Sequence, residues 1–382
     1  MRLRWQDYVV GGGRADEPAD ALWSAAAEAT DGQRSIYILG VGFDPRALVG
    51  LQQFLSLDHP RPPLVGLVEL PPPSPASGLS ARALAADNQA AFARLTRNVD
   101  VRTVPHQPVH ARNNAGPRVA REATKPSFLR DVGHIIVDVS SLPSSLHFPL
   151  IAAVLTSADR RVIGFPAEVQ VVACENPSVD AAIIELGVTE AAAVGGFRGG
   201  LEHDSEPKAT VIWAPVIGEN VGHSLSAVHD FLVPQDVFPV LPFPSRDPRR
   251  ADNLLLQHQV ELLDTFQVEP ANIIYADERN PFDLYRTLSR LQEKFRLALG
   301  GLDTTTLALS THSSKLLSLG VLLAAYEHQL PIVSAPPIDY ELGDVDLSLL
   351  ASGNQIVCAW LAGLPYPDPA IPSLALSPDT EH

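Results

Sequence analysis

The densest chemistry in the chain lies in six consecutive residues, Ser310-Thr311-His312-Ser313-Ser314-Lys315. They interrupt a β-branched and apolar run, Thr305–Leu309, and precede a smooth apolar segment, Leu316–Tyr326. The spacing predicts a strand, a polar turn, a helix and then a second strand at Pro331–Ala335. Hydroxyls, an imidazole and an ammonium at a helix start suit a phosphate or carboxylate. The first N–H groups of a helix have no internal partners, and its dipole favours negative charge there.

Other polar groups gather at predicted strand ends. In the second half these are Ser245 with Arg246, and Asp277 with Arg279 and Asn280. Arginine forks and a lysine charge favour anions, and Asp and Asn can read hydroxyls or a base edge. In the first half, Ser35–Leu39 runs into Gly40, Gly42, Asp44 and Arg46, and His134–Val139 ends in Asp138 and Ser140. Glycines after a first strand let backbone approach a ligand. Asp44 followed by Pro45 equally suits a helix start, with Asp as cap and Pro at the first helical position.

These clusters imply binding more than bond-breaking. There is no G-x-S-x-G elbow and no phosphate loop ending in Gly-Lys-Ser/Thr. A serine adjacent in sequence to His312 is poorly placed to use it as a base, and no orienting acid is evident. His106 and His110 could share a helical face as metal ligands do, but the surrounding prolines oppose a helix. Glu202, His203 and Asp204 are adjacent residues that cannot easily converge on one ion. No metal site is predicted, and the sequence leaves any cofactor unspecified.

Strands and helices alternate throughout, which predicts an α/β fold with mainly parallel sheets, arranged as two tandem Rossmann-like domains. The first is expected over 1–194. A Gly-rich, polar linker or exposed hairpin follows over 195–208, the second domain over 209–364, and a mobile tail over 365–382. Gln355–Trp360 reads as a final edge strand of the second domain. A main pocket is expected around Asp277, Arg279, Asn280 and Ser310–Lys315, and a second around Gly40, Gly42, Asp44, Arg46 and Asp138.

The chain has 382 residues, 46% hydrophobic and 19% charged, a composition suited to large buried cores. Lys plus Arg total 28 against 44 Asp plus Glu, a net charge of −16. So acidic a surface argues against broad contact with nucleic acid or anionic lipid. The two cysteines, Cys174 and Cys358, lie outside any metal-type spacing and read as reduced core thiols. No signal peptide or membrane span is predicted, and the expected location is cytoplasmic.

The segment TTTLALSTHSSKLLSLGVLLAAYEHQLPIVSAPP, from Thr304 to Pro337, resembles an element of CARF and SAVED domains, Rossmann-like sensors of cyclic nucleotides. That element is a strand, a Ser/Thr-x-Ser/Thr-x-Lys turn and a helix. The resemblance implies that Ser310, His312, Ser313, Ser314 and Lys315 contact a small phosphorylated or nucleotide ligand. It also implies a bacterial defence or signalling setting, with a partner protein supplying an effector activity. A rival resemblance lies in ILGVGFDPRAL, which is similar to the first motif of leucine-carboxyl-type S-adenosylmethionine methyltransferases. There Glu69, at the next strand end, would hold the ribose hydroxyls. A third reading is a non-catalytic subunit of a protein assembly, whose strand-end residues only cap helices.

Overall fold

The computed structural model describes residues 3–12, 18–72, 79–105, 115–202, 210–299, 305–342 and 353–366. The first half runs β1 (Val9–Gly12), α1 (Ala19–Glu28), β2 (Arg34–Gly40), α2 (Val49–Ser56), β3 (Leu64–Val68), α3 (Leu79–Leu95) and β4 (Asp100–Val104). It continues through α4 (Ala115–Ala123), β5 (Val132–Asp138), α5 (Ser144–Asp159), β6 (Glu168–Glu175), α6 (Pro177–Ala182), β7 (Ile183–Val188) and β8 (Ala192–Ala193). The second half holds β9 (Thr210–Val216), α7 (Gly222–Leu232), β10 (Asp236–Val237), β11 (Val240–Pro242), α8 (Arg250–Gln257), β12 (Ile274–Ala276) and α9 (Pro281–Leu299). Then come β13 (Thr305–Thr311), α10 (Lys315–His328), β14 (Val333–Ser334), β15 (Pro337–Leu342) and β16 (Gln355–Ala362).

The first sheet has seven strands in the order β1-β16-β6-β5-β2-β3-β4. From β6 to β4 all neighbours are parallel, whereas β16 runs antiparallel to both β6 and β1. The chain leaves β2 towards β3 and later returns to β5 on the other side, so the order reverses between β2 and β5. Ligands of open α/β sheets bind at such a reversal. β5 and β6 are buried along their whole length, as parallel strands covered on both faces must be.

The second sheet is also parallel. β13 lies on one side of β9, β10 and β11 lie on the other, and β12 lies outside β11. β10 and β11 pair with successive stretches of β9, as a single strand broken at Phe238-Pro239. Pro239 has no N–H to give to the ladder. This sheet reverses order between β9 and β13.

Two expectations about the chain's partition change. Gln355–Ala362 does not edge the second sheet: it pairs with β6, and β1 covers its other side. The second sheet therefore lies in sequence inside the first, and the two are not in tandem. The insert leaves through β7 and returns through β15, which pair antiparallel as a ribbon. Sequence patterning shows that a strand exists but not which sheet it joins, since pairing is a tertiary choice.

The described part of 195–208 is tied to the core as well as partly exposed: Gly195 and Phe197 are buried, and Gly196, Arg198 and Gly199 are exposed. Phe197 is buried, and Val194 and Phe197 exchange backbone hydrogen bonds with Ile332. Residues 203–208 lie outside the described residues, as do 367–382 of the expected tail and the histidines at 106 and 110. Ahead of them Tyr366 stays anchored, its hydroxyl accepting from Val9 N at 3.0 Å.

One hydrophobic core joins the two sheets, containing Ile36, Val137 and Val171 from the first and Ala214, Leu307 and Leu309 from the second. α10 sits at its centre, buried from Leu316 to Tyr326, and packs on α9, α5 and β6. A helix apolar on every side belongs inside a core. At Gly320 a Cβ would come within 2.6 Å of the Pro281 carbonyl oxygen and 2.9 Å of Leu284 Cβ. Gly320→Val should therefore cost about 1–3 kcal/mol of unfolding free energy in urea melts, as overpacking does.

Candidate functional site

At the carboxyl end of β2 the glycine is required by packing, because a Cβ on Gly40 would meet Leu142 Cδ2 at 2.7 Å. The loop beyond it is clamped by α3. Asn88 Nδ2 donates to the carbonyls of Gly42 (2.8 Å) and Asp44 (2.9 Å), and Gln89 Nε2 to that of Val41 (3.0 Å). Asp44 does not cap a helix, since α2 starts later, at Val49. Its carboxylate instead accepts from Arg46 N at 2.8 Å and from the guanidinium through Nε (3.0 Å) and Nη2 (2.9 Å). Arg46 Nη1 reaches Asp180 on α6 at 2.8 Å. Burial opposes the charge of Arg46, but Asp44 and Asp180 hold its pKa well above the ordinary arginine value.

Asp138, at the end of β5, is also internally satisfied. It accepts from Tyr37 Oη at 2.7 Å, from Ser140 N at 2.9 Å and from the Ser140 hydroxyl. Ser140 Oγ in turn accepts from Cys174 N at 2.8 Å, tying β5 to β6. Burial pushes the Asp138 carboxyl up to about 6, against these hydrogen bonds. Both cysteines are buried free thiols.

The turn between β13 and α10 faces two ways. Ser310 Oγ accepts from Trp213 Nε1 at 2.9 Å and hydrogen-bonds His312 Nε2 at 2.9 Å. His312 Nδ1 pairs with Ser224 Oγ at 3.0 Å, and the Ser224 hydroxyl draws the Glu185 carboxyl on β7 downward against the burial that raises it. Burial, aided by His258, pushes the His312 imidazole down to about 3, so it is neutral. Ser310 is fully buried, which leaves no exposed nucleophile in this chain of groups.

Ser314 and Lys315 turn instead to the first sheet. Ser314 caps α10, its Oγ accepting from Leu317 N at 3.3 Å, and its hydroxyl draws down the pKa of Glu175 at the end of β6. Glu175 Oε1 accepts from Leu316 N at 2.9 Å, and Lys315 Nζ donates to the Leu142 carbonyl at 2.8 Å. Burial lowers the Lys315 pKa. Ser313 Oγ is buried without a partner among the described residues. The carboxyl edges of the two sheets thus meet at the first turn of α10.

Asp277, Arg279 and Asn280 stand apart from that turn, because β9 and β11 separate β12 from β13. Asn280 caps α9, accepting from Phe282 N at 3.1 Å, and donates to Tyr8 Oη at 2.8 Å. Asp277 accepts from Arg279 N at 3.0 Å, and its own N–H donates to Asp283. The expected single pocket around Asp277–Asn280 and Ser310–Lys315 is therefore split. Lys315 instead joins the loop of Gly40, Asp44 and Arg46, whose charges it feels.

Glu175, Asp180, Tyr37 and Glu185 were not among the predicted site residues. A signal existed for the first two. Glu175-Asn176-Pro177 repeats the strand, acid and proline pattern of Asp44-Pro45, with Asn176 accepting from Ser178 N. β6 runs two residues past Ala173, so Glu175 is its last residue. Tyr37 read as a core residue, and β7 gave no strand signal of its own.

The arrangement is an anion seat filled by the protein's own carboxylate. Backbone N–H, hydroxyl and helix dipole converge on Glu175, with Lys315 and Arg46 close enough to act on one another. No protein-family model matches the chain, and no curated protein matches it.

Burial and the neighbouring Asp180 push the Glu175 carboxyl from its ordinary 4.5 up to about 7, with Arg46 pulling the other way. Its contribution to stability is complete below 4.5 and declines as pH rises through about 7, because the unfolded chain ionises first. The stability gap between the wild type and Glu175→Gln should therefore shift in favour of the variant between pH 5 and pH 8. Urea unfolding at the two values checks the sign.

Proposed function

We propose that this chain binds a nucleotide-type ligand in the cleft between the carboxyl edges of its two sheets, and acts as a sensor of that ligand. Each sheet is read as a Rossmann-like unit. The observation that carries the reading is the first turn of α10, where Leu316 N and Ser314 hold Glu175 while Lys315 reaches Leu142. These are the donors a ligand phosphate would use. Gly40, Gly42, Asp44 and Arg46 form the facing loop, with Asp138 bracing the strand behind it. Asp277, Arg279 and Asn280, at the outer strand of the second sheet, lie apart from this seat.

In this reading a ligand phosphate displaces Glu175 from the helix terminus. The released carboxylate belongs to the segment β6–α6–β7, so ligand binding is felt at the ribbon. His312, Ser224 and Glu185 connect the same turn to that ribbon. A partner protein carrying an effector activity would read the change there. The resemblance to CARF and SAVED sensors supports a defence or signalling role, and the buried Ser310–His312 pair supports binding over catalysis.

One observation favours the methyltransferase reading: Glu69 follows β3, the strand beside β2, and is exposed. A melting screen separates the readings. Saturating ligand at a hundredfold over Kd adds about 2.7 kcal/mol of stability. A cyclic oligonucleotide or mononucleotide should raise the melting temperature of the wild type, and Lys315→Met should abolish the rise. A rise with S-adenosylmethionine alone, lost in Glu69→Ala, would transfer the reading to a methyltransferase. No rise with any of them would leave an assembly subunit.

A further inference from the structure

The outer face of α9 carries features that the strand-end cleft does not use. Arg286, Arg290 and Lys294 recur at four-residue spacing along one stripe, and Ser289 and Glu293 lie between them. With the N-terminal residues Leu3 and Gln6 they line a surface cavity of about 590 Å³, within the range of small-molecule sites. The face lies well down a helix of 19 residues that starts at the carboxyl edge of the second sheet, so it stands towards the opposite edge.

Three cations at this spacing repel one another unless an anion lies between them. Among the described residues Glu293 is the only acid lining the cavity, and Arg296 already holds it through two bonds of 2.8 Å. Arg290 and Lys294 make no ion pair among the described residues and are exposed. Arg286 is held in place: its Nη2 donates to the Gln6 carbonyl and its guanidinium lies 4.7 Å from the centre of the Tyr8 ring. Between these charges sits Ser289, only 2% exposed, with a hydroxyl that has no hydrogen-bond partner among the described residues. A buried hydroxyl left unpaired is costly, and this one lines a cavity already flanked by positive charge.

We infer that this cavity is a second ligand site, separate from the strand-end cleft, that takes a small molecule carrying two or more linked phosphates. The nine residues from Arg286 to Lys294 span roughly 12 Å of helix, long enough to follow several phosphates in a row. Guanidinium forks and a hydroxyl donor match phosphate oxygens, whereas the single nearby acceptor, Glu293, is occupied. The net charge of −16 works against a long nucleic acid and admits a compact anion.

Inorganic triphosphate titrated calorimetrically into the full chain tests the inference. Binding should be saturable and should weaken by about tenfold or more in Arg290→Gln/Lys294→Gln, which removes two charge-assisted contacts. Ser289→Ala should weaken it by several-fold while leaving the apo melting temperature equal or higher, since it deletes an unpaired buried group. Lys315→Met should leave triphosphate affinity unchanged, which distinguishes this site from the cleft. Absence of binding, equal binding by the double variant, or loss in Lys315→Met alone would each overturn it. So would a short single-stranded RNA that binds the α9 face when triphosphate does not.

Discussion

The seating of Glu175 on the first turn of α10 is the interaction on which the rest depends. α10 is buried on every side, so its leading N–H groups cannot turn to water, and each one left unpaired would be costly. Two of them are met from different parts of the chain: Leu317 N by Ser314, and Leu316 N by Glu175 from the other sheet. Burying a carboxylate is itself expensive. The Leu316 N–H, the Ser314 hydroxyl and the nearby cation Arg46 offset part of that cost, though burial and Asp180 still hold the Glu175 carboxyl well above its ordinary value. The two sheets are therefore joined by a polar contact as well as by a shared apolar core.

Much of the architecture is legible in the sequence because parallel strands buried on both faces must be continuously apolar. SIYIL in β2 and HIIVDV around β5 announce themselves for that reason, and the smoothness of Leu316–Tyr326 marks a helix that never meets solvent. Strand ends were readable too, since polar residues follow apolar runs where the chain turns. Gly40, Asp44, Asp138, Ser314 and Lys315 were singled out this way. What could not be read was which strand ends face each other. Lys315 meets Leu142 across a sequence separation of 173, and nothing local encodes that encounter. β7 and β15 were missed because a two-stranded ribbon needs neither a long run nor strict alternation.

Polar groups inside the sheets act mainly as fasteners. His134 pairs with Ser35 at 3.0 Å and with Gln170 at 3.1 Å, and Gln170 continues to the Leu22 carbonyl at 2.8 Å. Burial pushes the His134 imidazole down to about 3, which keeps it neutral within this crosslink of β2, β5, β6 and α1. Asp138 with Tyr37 and Ser140 does similar work one layer nearer the cleft. Such networks rigidify a sheet only when every member is satisfied, and these are. The carboxyl edge of the first sheet is therefore held in one arrangement.

The nesting of one sheet inside the other also sets an order of assembly. Gln170 and Cys358, neighbours across β6 and β16, are 188 positions apart, so a flexible chain would give up roughly 4–5 kcal/mol of entropy in closing that loop. During synthesis the outer edge of β6 stays uncovered until β16 emerges, and an open edge invites pairing with other chains. The β7–β15 ribbon shortens the problem. Once Ile183 pairs with Leu342, the long excursion is bypassed and only a short stretch remains before β16. The ribbon thus serves as a splint, and a chain in which it fails to form should fold slowly and aggregate through β6 even with both sheets' sequences intact.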